Sequence, residues 1–176
     1  IIHGLENALH SVTVTILEKT NPDATGNYVQ LTKVRYISIV DSSDLKLAER
    51  DTEGYAESVK YFDDANVILN DFSVENGVAR SSTTGDGITY RFRGVALRLY
   101  ADTGTSFGKI DLTIDGNYVG RINTYRAENA ADCEVYVTEI LDETVHTVTF
   151  TVTDKSVLSS GNEVRLTKMK IYASAG

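Results

Sequence analysis

His146-Thr147-Val148-Thr149-Phe150-Thr151-Val152-Thr153-Asp154-Lys155 alternates strictly, with Val148, Phe150 and Val152 on one side and Thr147, Thr149 and Thr151 on the other. A period of two, with β-branched residues at nearly every position, is the pattern of a strand with one face buried and one wet. Residues 10–19, HSVTVTILEK, repeat it: Val12, Val14 and Ile16 alternate with Ser11, Thr13 and Thr15. The match resumes after a loop, where Val29, Leu31, Thr32 and Lys33 answer Val164, Leu166, Thr167 and Lys168, and Leu5 answers Leu141. In both copies the alternation changes phase at the Thr-Lys pair, which predicts a β-bulge there.

The two copies stand about 135 residues apart. That spacing is too long for a solenoid repeat and suits a whole domain. The expected organisation follows from it. Residues 1–38 are the C-terminal strand pair of a preceding repeat or an added hairpin, 39–60 a linker-like segment, and 61–176 a β-sandwich module. The opening Ile1-Ile2-His3-Gly4 lacks Met and reads as an internal cut of a longer polypeptide. Because a lone hairpin is marginal in water, residues 1–38 are expected to pack on the rest or on a neighbouring chain.

Further strands are predicted at 66–69, 77–82, 87–92, 95–101, 108–115, 118–123, 133–138 and 163–173. Turn signals at Gly85-Asp86-Gly87, Asp102-Thr103-Gly104 and Asp115-Gly116-Asn117 separate several of them. Asp115-Gly116, between Ile110/Leu112/Ile114 and Val119, is the sharpest hairpin signal. Many short strands with such spacing predict an all-β sandwich of jelly-roll type. The one helix-like stretch is 44–58. It is charged and broken by Gly54, and is expected to hold a short helical turn at most.

Composition excludes several functions. The net charge of −8 argues against nucleic acid, whose phosphates need a basic patch. No run of eighteen apolar residues is present to span a membrane as a helix. The lone Cys133 permits no internal disulfide and reads as a core filler. Gly-x-Ser-x-Gly, Cys-x-x-Cys and His-Glu-x-x-His are all missing. His10 and His146 are repeat equivalents at a strand start, which fits a structural role better than a catalytic one. The chain is therefore expected not to be an enzyme.

Residues 81–94, SSTTGDGITYRFRG, run into 95–100, VALRLY; then come 108–116, GKIDLTIDG, and finally Leu141 with His146-Thr147-Val148-Thr149. This order resembles the galactose-binding-like jelly-roll modules of bacterial secreted carbohydrate-active enzymes and surface proteins. In those modules a Gly precedes a strand ending in Phe-x-Gly, a strand ending in Asp-Gly forms a hairpin, and Leu-x4-His-Thr opens the last strand pair. The resemblance covers about residues 60–174. It implies a carbohydrate-binding-module-like sandwich, outside the cell or on its surface. The partners implied are a glycan or polysaccharide and neighbouring modules of the same polypeptide. Such modules often carry a Trp ahead of the Ser/Gly strand, and this chain has no Trp.

Sugars offer an apolar C–H face to aromatic rings and hydroxyls to Asn, Asp and Arg. Residues 117–126, NYVGRINTYR, combine these types, so Tyr118, Arg121, Asn123, Tyr125, Arg126 and Asn129 are the candidate ligand-binding residues. Tyr55, Tyr61 and Phe62 form a second aromatic group, expected to pack. Asp63-Asp64-Ala65-Asn66 and Asn70-Asp71 place hard oxygen ligands close together, making Asp63, Asp64 and Asp71 candidate ligands for a structural calcium. Asp41-Ser42-Ser43-Asp44 is a weaker second cluster. Two functions compete: a glycan-binding module tethering a larger protein, and a structural spacer in a tandem-repeat adhesin or stalk.

Overall fold

The computed structural model describes residues 44, 45 and 47–174. The first repeat copy, and with it His3 and His10, lies outside the described residues. So do the expected packing of residues 1–38 and three of the four residues of the Asp41–Asp44 cluster.

Strands make up the described secondary structure, and no helix occurs among the described residues. In chain order they are β1 (Tyr55–Lys60), β2 (Val67–Asn70), β3 (Ser73–Glu75), β4 (Val78–Ser81), β5 (Gly87–Gly94) and β6 (Ala96–Thr103), followed by β7 (Gly108–Ile114), β8 (Asn117–Asn123), β9 (Ala130–Val137), β10 (Thr144–Lys155) and β11 (Val164–Ser174). They form two antiparallel sheets. One runs β2-β5-β10-β7-β8; the other runs β3-β4-β11-β6-β9, with β1 also paired to β11.

The alternation in β10 behaves as its sequence dictates. His146, Val148, Phe150 and Val152 are buried, while Thr147, Thr149 and Thr151 are half-buried on the outer face. Facing them across the sandwich, Leu166, Met169 and Ile171 of β11 and Leu97, Leu99 and Ala101 of β6 close one continuous core with Ile88, Ile110 and Leu112. Burying one such aliphatic side chain contributes about 1.5–3 kcal/mol. Cys133 is half-buried against this core, as a filler would be. Phe62 is also core, at 1 % exposed, whereas Tyr61 is half exposed.

Two local expectations are met in detail. The register between β11 and β6 shifts between Leu166 and Lys168, placing an irregularity at the Thr-Lys pair. Ile114 pairs with Asn117 across the two-residue turn Asp115-Gly116, whose φ values are 51° and 78°. Positive φ at both central positions is the type I′ hairpin, which a Gly at the second position makes easy.

The segment 44–58 departs from its expectation. It holds no helical turn among its described residues, and Tyr55–Lys60 is a strand registered against β11 from Ser174 back to Met169. Four of its six residues are exposed, so it shows no apolar alternation of its own. The exposed backbone edge of β11 recruits it, and local pattern does not. The linker-like character expected for 39–60 therefore stops short of residue 55.

Candidate functional site

The outer face of the five-stranded sheet carries part of the expected ligand set. Arg121 on β8 grips Asp111 on β7, its cross-strand neighbour, with Nε 2.7 Å from Oδ1 and a terminal nitrogen 3.2 Å from Oδ2. Its other terminal nitrogen reaches Asp154 at 3.2 Å. A bidentate Arg–carboxylate pair is strongly directional; side-chain hydrogen bonding to Asp111 pushes the Arg121 guanidinium above its ordinary value. Tyr118, an exposed ring, donates to Asp111 at 3.3 Å.

The other four residues do not join this pair. Asn123 Nδ2 donates to Asp44 Oδ2 at 3.0 Å in a covered cluster with Lys109. Arg126 is spent on backbone, donating to the carbonyls of Asn123 and Tyr125 at 3.0 and 2.6 Å. Tyr125 bridges Gly104 through its backbone. Asn129 accepts from the Thr105 amide at 3.2 Å. The six residues thus divide into a Tyr118–Arg121 pair, a half-buried Asn123 farther along the same sheet face, and a self-bonded loop.

The acidic residues nominated for calcium are not assembled into a ligand set. Asp64 accepts from the amide and side chain of Asn66 at 2.9 and 3.0 Å and faces Lys60 at 3.6 Å. The Asn66 amide bond, with Lys60 nearby, holds its carboxyl below the usual range. Asp71 sits in the turn after β2 with a φ of 64°. Among the described residues no group of three His, Cys, Asp or Glu side chains is placed to hold a metal, so Asp63, Asp64 and Asp71 form no such group.

His146 is fully engaged. Its Nδ1 meets Asp115 Oδ2 at 2.7 Å and its Nε2 meets the Asp142 carbonyl at 2.8 Å. With both ring nitrogens committed to acceptors, neither is available as a base toward a substrate.

A cleft of about 480 Å³ opens at the edge of the sandwich. Strand β2 begins only at Val67, opposite Tyr90, so Arg91 to Gly94 continue β5 without a β2 partner. On the other side the edge is bounded by β1, the recruited strand. Ser58, Lys60, Asn66, Arg91 and Arg93 supply the polar rim, and Tyr90, Phe92, Val145 and Ile171 line the remainder. Arg93 stands 4.0 Å from Glu143, and Arg91 is exposed with no carboxylate partner among the described residues. The cleft thus gathers three cations in an acidic chain, Lys60 facing Asp64, Arg93 facing Glu143, and Arg91 facing no carboxylate among the described residues. No local signal marks it, because Lys60 and Arg91 come from strands far apart in sequence.

No family model matches this chain, and no curated protein matches it by sequence. Solved structures do match its fold. A two-domain esterase active on acetylated mannans, co-crystallised with mannopentaose, superposes with a TM-score of 0.58 at 16 % identity, over 73 % of this chain and 40 % of that one. A family two carbohydrate esterase from Cellvibrio japonicus gives 0.52 at 12 % identity, over 68 % and 34 %. The CBM36-1 domain of a multidomain xylanase from the hindgut metagenome of Trinervitermes trinervoides gives 0.48 at 16 %, over 69 % and 99 %.

The likeness to the two esterases is one of fold, a β-sandwich of two antiparallel sheets. The chain spans less than half the length of either esterase. Among the described residues no helix is long and apolar enough to cross a membrane.

Proposed function

We propose that this chain is a non-catalytic glycan-binding module of a larger extracellular or cell-surface protein, and that it binds through the edge cleft. The observation that carries the reading is the rim of Lys60, Arg91 and Arg93 around a concave opening in a chain of net charge −8. Ligand sites are concave and use a few convergent polar groups for orientation. Guanidinium groups match carboxylates in geometry as well as charge. The cleft therefore suits a sugar that bears a carboxylate, with Ser58 and Asn66 meeting hydroxyls. Calcium has no part in this reading.

Two features of the chain support the non-catalytic part of the reading. His146 is committed on both nitrogens, and the cleft rim holds no nucleophile paired with a base. A glycan array probed with the purified chain tests the reading. Retention on uronate-containing glycans and not on neutral ones is expected; a uniformly blank array would refute it.

The outer face of the six-stranded sheet favours the second reading, a structural spacer. Tyr100 donates to Glu134 at 2.9 Å beneath Lys168, and Tyr172 donates to Glu57 at 2.7 Å beside Arg98. Rings covered by cations in this way offer no stacking platform to a sugar.

A further inference from the structure

Lys109 opens β7 and Asn123 closes β8, and the two are direct partners in the antiparallel register. Alternation sends both to the outer face of the sheet, where a lysine would ordinarily be wet. Lys109 is nevertheless only 5 % exposed and Asp44, which lies against it, also 5 %. Asp44 is held there by backbone: it bridges Arg121 in parallel, and the Leu45 amide donates to the Arg121 carbonyl at 2.5 Å. Its two carboxylate oxygens are divided between the neighbours. Oδ1 accepts from Lys109 Nζ at 3.2 Å, and Oδ2 accepts from Asn123 Nδ2 at 3.0 Å. The remaining polar atom of the Asn123 amide, Oδ1, accepts from the Tyr125 amide at 3.0 Å.

This is a reaction geometry as much as a clamp. A buried amine and a buried carboxylate meet a half-buried side-chain amide that the carboxylate touches as well, and a backbone N–H polarises the amide carbonyl. Opposed cross-strand residues have Cβ atoms about 4.5–5.5 Å apart, a gap that one lysine and one asparagine side chain can close.

We propose that Lys109 and Asn123 form an intramolecular isopeptide bond, with Asp44 as the proton carrier. Asp44 Oδ1 takes a proton from the Lys109 ammonium, and Nζ attacks Cγ of Asn123. The charge that develops on Asn123 Oδ1 is met by the Tyr125 N–H. Asp44 then delivers its proton to Nδ2, the Cγ–Nδ2 bond breaks, and ammonia leaves, carrying off the second Nζ proton as ammonium. The lysine ammonium and the carboxamide become a secondary amide and one ammonium ion. Asp44 ends as the carboxylate it began as, and neither oxidant nor cofactor is consumed. The bond would tie β7 to β8 at the end opposite the Asp115-Gly116 turn, closing that hairpin covalently. It stands independently of any ligand in the edge cleft.

Intact-mass spectrometry of the full 176-residue chain, followed by tandem sequencing of a protease digest, tests it. The expected mass is about 17 Da below that of the sequence, one ammonia, with a branched peptide joining Lys109 to Asn123. Lys109→Arg and Asp44→Asn should each restore the full sequence mass. An unmodified wild-type mass overturns the proposal, and so does a 17 Da loss confined to one linear peptide. A branched peptide that persists in Asp44→Asn overturns the role of Asp44. The wild-type measurement decides the bond even if a variant fails to fold.

Discussion

His146 Nδ1 lies 2.7 Å from Asp115 Oδ2, joining the first residue of the β7–β8 turn to the start of β10. The same aspartate accepts from the Thr147 amide at 2.8 Å through its other oxygen. Since Nε2 also faces an acceptor, the Asp142 carbonyl, the ring is satisfied only as the imidazolium. Burial alone would lower the His146 value, but hydrogen bonds to Asp115 and Asp142 and their charges outweigh it, and the net shift is upward from 6.5. The His146 bond, then the Thr147 amide, hold Asp115 below its ordinary 3.8.

The sign of the pH dependence follows. A raised histidine contributes stability that is complete below 6.5 and is lost as pH rises through its folded value. A depressed aspartate contributes stability present above 3.8 and lost as pH falls through its folded value. The pair is therefore most stabilising between about pH 4 and 6.5. Thermal melts from pH 5.5 to 8.5 should show a falling midpoint in the wild type and a flatter profile in His146→Gln. Parallel profiles would refute this.

Gly94 ends β5 with a φ of 156° and sits where an added Cβ would meet the Tyr172 carbonyl, itself the acceptor for the Val95 amide at 2.7 Å. The obstacle is backbone, so it cannot swing aside. Gly94→Ala should cost about 1–3 kcal/mol, the usual penalty for overpacking. Urea denaturation checks it, with the midpoint falling and the slope unchanged.

Phe150 is fully buried at the centre of β10, between β5 and β7. Phe150→Ala should cost about 3–5 kcal/mol through lost burial and the cavity left behind. Its repeat counterpart is Val14, so Phe150→Val is the milder test. Calorimetry should rank wild type, Phe150→Val and Phe150→Ala in falling stability.

What the sequence disclosed was what is local. The Asp115-Gly116 turn, the phase change at Thr167-Lys168 and the alternation of Val148, Phe150 and Val152 each act over a few residues, and each stands where it was expected. β1 was missed because Tyr55–Lys60 carries no apolar period and becomes a strand only against β11. β3 was missed because three residues give no period to read. The site followed the same rule. Tyr118 and Arg121 do share a face, but Arg126 and Asn129 serve their own loop, which composition cannot reveal. Lys109 stands at an outward position of β7, and Asp44, 65 residues earlier in the chain, lies against it, which no local pattern announces.

The central claim is that the cationic edge cleft binds a carboxylate-bearing glycan. Isothermal titration of the wild type and of an Arg91→Ala/Arg93→Ala double variant with polygalacturonate, at low and at high salt, tests it most directly. The wild type should bind, weaken with added salt, and lose about tenfold or more in affinity in the variant, equivalent to about 1.4 kcal/mol. Neutral galactan should give no heat with either protein. Binding of polygalacturonate that is equal in the two proteins, or absent from the wild type, would contradict the account.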